Sequence, residues 1–230
     1  MDVEFKISAI SMVIFRLFIF SLGLLVYSHS RADINDYVCG SLKNSYGPYD
    51  YRSEWKEKQV DIETYHLPPE VVNLVRGKTS AYIGADLDYA LRAFPNHPVA
   101  LMAMARLGEK EKTAKPVGAR YNVECYFLRA IRFRNDDENV RVLFASYLSK
   151  AGKRTEALNQ LNEAAQLGSD NANTIYNMGL IYYDLKEYDK SLSYAQQAYR
   201  LGFPLPGLRD KLKRAGKWKE PAMEGEESGK

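Results

Sequence analysis

The chain has 230 residues, 46% apolar, 27% charged and 12% aromatic, which excludes a wholly disordered or low-complexity protein. Its formal charge of +3 is too slight for nucleic acid to be the main partner, since such domains carry a strong basic stripe. Three histidines limit metal and acid–base chemistry from the outset, and tyrosine, with 17 copies, is the enriched type.

From Leu17 to Val26 no charge occurs, with Arg16 before the stretch and Ser30, Arg31 and Ala32 after it. A basic flank, a short apolar centre and small residues before a cut after Ala32 form the layout of a secretory signal peptide over 1–32. The apolar centre is shorter than the ~20 residues that cross a bilayer. Extended back to Ile7 it reaches that length, but Arg16 then falls near the middle, at a cost of about 2.5 to 3.5 kcal/mol. Cleavage releases the chain into the bacterial periplasm; retention makes the leader an inner-membrane anchor facing that compartment. Asp2 and Glu4 more than offset Lys6, which favours Met12 over Met1 as the start. Asp36, Tyr37 and Val38 ahead of Cys39 do not resemble a lipidation site.

Residues 33–63 hold Tyr37, Tyr46, Tyr49, Tyr51 and Trp55 with Gly47 and Pro48, a composition that suits a packed N-terminal cap or, alternatively, an aromatic ligand platform. Cys39 in this segment and Cys125 further on both follow the leader. In an oxidising compartment an even count permits a disulfide, with two separate buried thiols as the alternative. Joined, they would close a loop across 86 positions, worth about 4 to 5 kcal/mol in the chain-entropy model. His66 and His97 lack the paired spacing of metal ligands, so neither metal nor cofactor is expected.

In 64–97, Pro69 marks a helix start, with Val71, Val72, Leu74 and Val75 following. Ile83, Leu87, Ala90, Leu91 and Phe94 then keep helical spacing up to Pro95. In 98–137, Leu101, Met104 and Ala105 suit a first helix and Glu124 to Phe133 a second. The lysine-rich insertion around Glu109 to Arg120 reads as a solvated loop. Units 138–171 and 172–205 carry the strongest signal in the chain. Ala130, Ala164 and Ala198 are spaced by 34, as are Phe127, Leu161 and Ala195, and Phe133, Leu167 and Leu201. Ala157 recurs as Ser191, Leu158 as Leu192, and Ala145 as Gly179. Small residues at fixed places in such a period belong to stacked helix pairs, because only short side chains let helices approach closely. Leu208, Leu212 and Ala215 amid basic residues predict a capping helix in 206–219, and 220–230 reads as a disordered tail.

The period resembles the tetratricopeptide repeat (TPR) family. In the last unit, Ile175, Met178, Gly179 and Tyr182 stand where the family's first helix has Trp, Leu, Gly and Tyr. Ser191, Ala195 and Ala198 stand where its second helix has Ala, Phe and Ala, and Pro204 follows. The preceding unit matches through Phe144, Ala145, Leu148, Gly152, Ala157, Leu161, Ala164 and Leu167, and departs by placing Arg141 at the tryptophan position. The resemblance implies an all-α, TPR-like superhelical solenoid whose first helices line a groove. Its exposed positions here would be Met102, Arg106, Asn139, Val142, Leu143, Ser146, Lys150, Asn173, Tyr176, Asn177, Leu180 and Tyr183. Tyr176 and Tyr183 are the expected anchors, because tyrosine offers large area at small rotamer cost. Family members that grip chaperone carboxylates place several Lys, Arg and Asn residues in this groove. Asn177 alone clearly matches, so that clamp is incomplete.

Motifs for chemistry are sparse. Gly77, Lys78 and Thr79 imitate the end of a phosphate loop, but Val72 stands where its first glycine belongs, and no strand precedes it. Asp86 with Asp88 and Asp136 with Asp137 suit helix starts or turns, and His66 and His97 fall at element boundaries in structural roles. Cys125 with His97 would serve as nucleophile and base only if the thiol were free and activated. The sequence therefore predicts a non-enzymatic exported scaffold that binds a protein or peptide, of the kind found in envelope assembly, secretion or pilus biogenesis. The rivals are a membrane-anchored version of the same protein and a thiol-dependent enzyme.

Overall fold

Proline and cap residues set where the helices begin. In the computed structural model, which describes residues 39–53 and 56–220, ten α-helices and no strand occur among the described residues. They are α1 (Lys56–His66), α2 (Pro69–Val72), α3 (Ile83–Ala93), α4 (Pro98–Glu111), α5 (Val123–Phe133), α6 (Glu138–Lys150), α7 (Arg154–Leu167), α8 (Ala172–Asp184), α9 (Tyr188–Arg200) and α10 (Gly207–Arg214). The leader 1–32, Tyr37, Trp55 and the tail beyond Glu220 lie outside the described residues. Two compact units divide the chain, 1–42 and 43–230; the helices above belong to the second.

The caps recur with the period. His97 precedes α4 and accepts the N–H of Ala100 at 3.4 Å. Asp137 precedes α6 and accepts that of Val140 at 3.1 Å. Asn171, one repeat beyond Asp137, accepts the N–H groups of Asn173 and Thr174 at 2.9 and 3.3 Å. Each cap satisfies donors the first helical turn leaves without partners, at about 1 kcal/mol apiece.

Helix pairing follows the same arithmetic. α6 packs along α7 and α8 along α9, while α4 meets α6, α6 meets α8, and α8 meets α10. The repeating small residues sit at these meetings: Ala130, Ala145, Ala157, Ala164, Ser191, Ala195 and Ala198 are all buried. At Gly179, the counterpart of Ala145, α10 comes close: a Cβ there would stand 2.7 Å from Leu208 Cδ2 and displace the end of that side chain. Phe127 lies fully buried and stacks on Phe144, ring centroids 5.1 Å apart. Burying a side chain of that size contributes roughly 1.5 to 3 kcal/mol. The core runs from Ile62 to Leu185, and Ile175, Tyr176, Ala195, Ala198, Leu208 and Leu212 close it at the C-terminal end.

Two local expectations change. The helix starting at Pro69 is a single turn, because Leu74 turns left-handed at φ 58° and is buried there. A full helix, α1, instead begins inside the tyrosine-rich segment and runs past residue 63. The lysine-rich insertion is the expected solvated loop beyond Glu111, with most of its residues exposed, but it is fastened at a few points. Pro116 and Ala119 are buried, Val123 N–H donates to Ala114 O at 2.8 Å and Arg120 N–H to Asp88 Oδ1 at 3.2 Å. Tyr126, also buried, donates its hydroxyl to the same Asp88 oxygen at 2.6 Å, and burial and Asp88 together push its pKa far up. Finally, both cysteines are disulfide-bonded, so the Cys39–Cys125 bridge is formed. Among the described residues no helix is long and apolar enough to cross a membrane.

Candidate functional site: a polar cleft at the helix starts

Because α4, α6 and α8 meet in succession and each begins at a cap, their first turns gather in one place. Between them and the segment Tyr51–Arg52 lies a cleft of about 330 Å³. Asn139, Asn173 and Asn177 line it, joined by Asp137, Glu138 and Asn171 from the same helix starts. Asn139 and Asn173 occupy equivalent positions one repeat apart, and Asn177 follows Asn173 by one helical turn on the same face. The side-chain amides of these three have no hydrogen-bond partner among the described residues.

The wall of the cleft is held by Asn96. Its side-chain carbonyl accepts Tyr51 N–H at 2.9 Å, and its amide donates to Asp50 at 2.7 Å and to Asp137 at 2.9 Å. Asp50 also accepts Arg134 Nε at 2.7 Å and Arg52 Nη2 at 3.0 Å. Burial alone would raise the Asp50 carboxyl, but hydrogen bonds from Arg52 and Asn96 outweigh it and hold the group well below the usual carboxylate range. Arg52, bonded first to Asp50 and paired also with Asp137 and Asp136, is held above its ordinary value despite partial burial. The Arg52 charge is thereby committed to the wall.

Beneath the wall, His97 is 1% exposed and its ring lies 4.1 Å from that of Tyr51. Tyr51 donates its hydroxyl to Glu63 at 2.7 Å, and the same Glu63 oxygen stands 3.5 Å from His97 Nε2. Burial, opposed in part by Glu63, pushes the imidazole down to about 4. His97 is thus a neutral structural cap, in keeping with its place at an element boundary.

The other groove positions divide by register. Val142 and Tyr176, one repeat apart, are only 1% and 7% exposed and belong to the helix contacts, not to an open surface. Tyr176 stacks on Phe203 at 3.9 Å, and its hydroxyl accepts Leu208 N–H at 2.9 Å. It is core under α10, which overturns its assignment as an exposed anchor. Tyr183 is half-buried with Tyr188 edge-on at 5.5 Å and Lys211 over its ring. Met102, Leu143, Ser146 and Leu180 are half-buried. Arg106 donates to Val72 O at 2.9 Å and Lys150 pairs with Glu109 at 3.4 Å, both away from the cleft lining. Asn96 and Arg52 are the residues that sequence pattern missed, while Tyr51 was visible only as one of the tyrosines of the N-terminal segment. Asp137 and Asn171 left a signal, since both are cap types one repeat apart.

Gly77–Lys78–Thr79 is explained without a phosphate. The N–H groups of Lys78 and Thr79 wrap the Asp86 carboxylate, at 2.7 and 3.2 Å, and a Cβ at Gly77 would meet Ser80 O at 2.2 Å. Asp86 is fully buried, more than a helix-start charge. A scan against protein-family models finds no match for the chain, and a search of curated proteins finds none either.

Proposed function

We propose that the chain is an exported, TPR-like helical-repeat scaffold that binds an extended segment of a partner protein in the polar cleft and performs no chemistry. The observation that carries this is the amide row Asn139, Asn173 and Asn177, all lining one cleft, their side-chain amides without partners among the described residues. An asparagine amide offers one acceptor and two donors, the complement of a peptide unit. Packed helices lie 8 to 10 Å apart, about the length of three residues of extended chain. A segment in the polyproline II conformation, which repeats every three residues, would therefore present an equivalent peptide unit to α6 and to α8 as it crosses them. Tyr51 and Pro98 supply apolar surface at the edge of the cleft. Export is supported by the leader's layout and by the disulfide, which persists in oxidising compartments.

The test is site-specific photo-crosslinking in envelope preparations. A benzophenone side chain at Asn173 should yield a discrete crosslinked partner, and the same group at Gln166, exposed on α7, should not. Asn139→Ala or Asn177→Ala should reduce the product severalfold with melting unchanged. Equal yields from both positions, or indifference to the alanine changes, would overturn the assignment.

A further inference from the structure

A second cavity, of about 450 Å³, opens on α1 and α3 and has no part in the cleft just described. Tyr46, Tyr65 and Tyr89 wall it, with His66, Thr79 and Asp61 between them. Among the described residues its lining includes no lysine or arginine. Lys58 stands over Tyr46 at 5.4 Å, and Arg92 stands over Tyr89 at 5.3 Å while paired with Asp88 at 2.9 Å; both touch a wall ring, but neither is itself a lining residue.

His66 has a fixed orientation. Its ring stacks on Tyr89 at 4.1 Å, and Nδ1 lies 3.1 Å from Asp86 Oδ1. The buried Asp86 carboxylate also accepts the Thr79 hydroxyl and two backbone N–H groups. Burial would raise this carboxyl, but those donors outweigh it and hold it below the usual range, so Asp86 is ionised and can only accept. The proton between the two therefore resides on Nδ1. In the neutral ring Nε2 is then an acceptor, and it has no partner among the described residues. Close by, the Tyr46 hydroxyl is buried and likewise lacks a partner among the described residues.

The lining is thus rich in acceptors and aromatic surface and poor in fixed donors. We propose that this cavity binds an organic cation, an ammonium or guanidinium group on a short apolar stem. Its N–H groups are accepted by His66 Nε2, its charge is met by Asp61, and its stem lies among the tyrosine rings. A free amine and the Lys or Arg side chain of a bound peptide share this chemistry.

The test uses the intact protein and follows the His66 ring signals by NMR during titration with butylammonium, butylguanidinium, and N-acetyl lysine and arginine methylamides. Saturable shifts of His66 are expected with at least one probe, weakened about fivefold or more in Asp61→Asn, an exposed position whose change leaves the fold intact. Tetramethylammonium, which has no N–H, should bind markedly less well than butylammonium. Preference for the blocked amino acids assigns the site to a partner's side chain, and preference for the bare cations to a free amine. Absence of saturable shifts with all four probes would overturn the proposal, as would equal binding to Asp61→Asn or equal binding of tetramethylammonium. None of these readouts involves the amide row, so this site and the cleft fail or stand separately.

Discussion

Acidification should unfold this protein in a window set by His97. The imidazole is buried as the neutral base, with its pKa down at about 4 from an ordinary 6.5. The unfolded chain therefore binds more protons than the folded one between those values, and stability falls as pH is lowered through that range. At 1.36 kcal/mol per unit, the loss from this one group is roughly 1 kcal/mol near pH 5.5 and 2 to 3 kcal/mol near pH 4.5. Asp50 and Asp86 do not contribute in that window. Their folded pKa values are depressed, so the stability they lend is present above the ordinary carboxylate value and is lost as pH falls through and below it. The informative variant is His97→Asn, which keeps a residue able to cap α4 but does not titrate. Losing the ring's contact with Tyr51 lowers its stability at neutral pH, so the quantity to compare is the slope. Urea unfolding followed by helical circular dichroism at pH 7 and about pH 4.5 should show the variant losing 2 to 3 kcal/mol less than the native chain. Equal losses would refute the assignment of a buried neutral imidazole.

Tyr176→Ala should cost about 3 to 5 kcal/mol, seen as a sharp drop in the urea midpoint, because the ring is packed beneath α10. Tyr176→Phe should cost about 1 to 2 kcal/mol through the orphaned Leu208 N–H; a near-neutral alanine variant would return the ring to the surface. Asn96→Ala removes the donors to two carboxylates and the acceptor of Tyr51 N–H. It should cost about 3 to 5 kcal/mol by the same measurement and loosen the cleft wall; a loss under ~1 kcal/mol would contradict the role given to that amide. Reducing the Cys39–Cys125 bridge should lower stability by about 4 to 5 kcal/mol in the chain-entropy limit, read as the urea midpoint with and without a thiol reductant. An unchanged midpoint would show that the loop is restrained in the unfolded chain by other means.

Helix content was legible in the two C-terminal units because small residues recur there at one spacing, and each small residue fixes a close contact. The same regularity misled at Val142 and Tyr176. Both occupy a register that can face a groove or an adjoining helix, and the choice is made by what lies beside it. For Tyr176 that neighbour is α10, whose Leu208 and Leu212 were visible as an apolar stripe while the surface they cover was not. Asn139 and Asn173 stand one turn nearer the helix start, where they line the open cleft. Asn96 left no trace in pattern, since its importance lies in three partners drawn from residues 50, 51 and 137, distant in sequence from the turn that holds it. The insertion before α5 is solvated as its lysines suggest, but lysine content reports on side chains and left no sign of the Arg120 backbone N–H that fastens the loop to Asp88.

The eight residues of α10 also determine what a shortened chain would become. Proteolysis at Pro206 would strip the lid from Ile175, Tyr176 and Phe203 and leave a greasy end with no polar backing. Two nicked molecules could hide those ends only against each other, so loss of one short helix would convert a self-contained particle into a sticky one and make C-terminal clipping a direct route to aggregation.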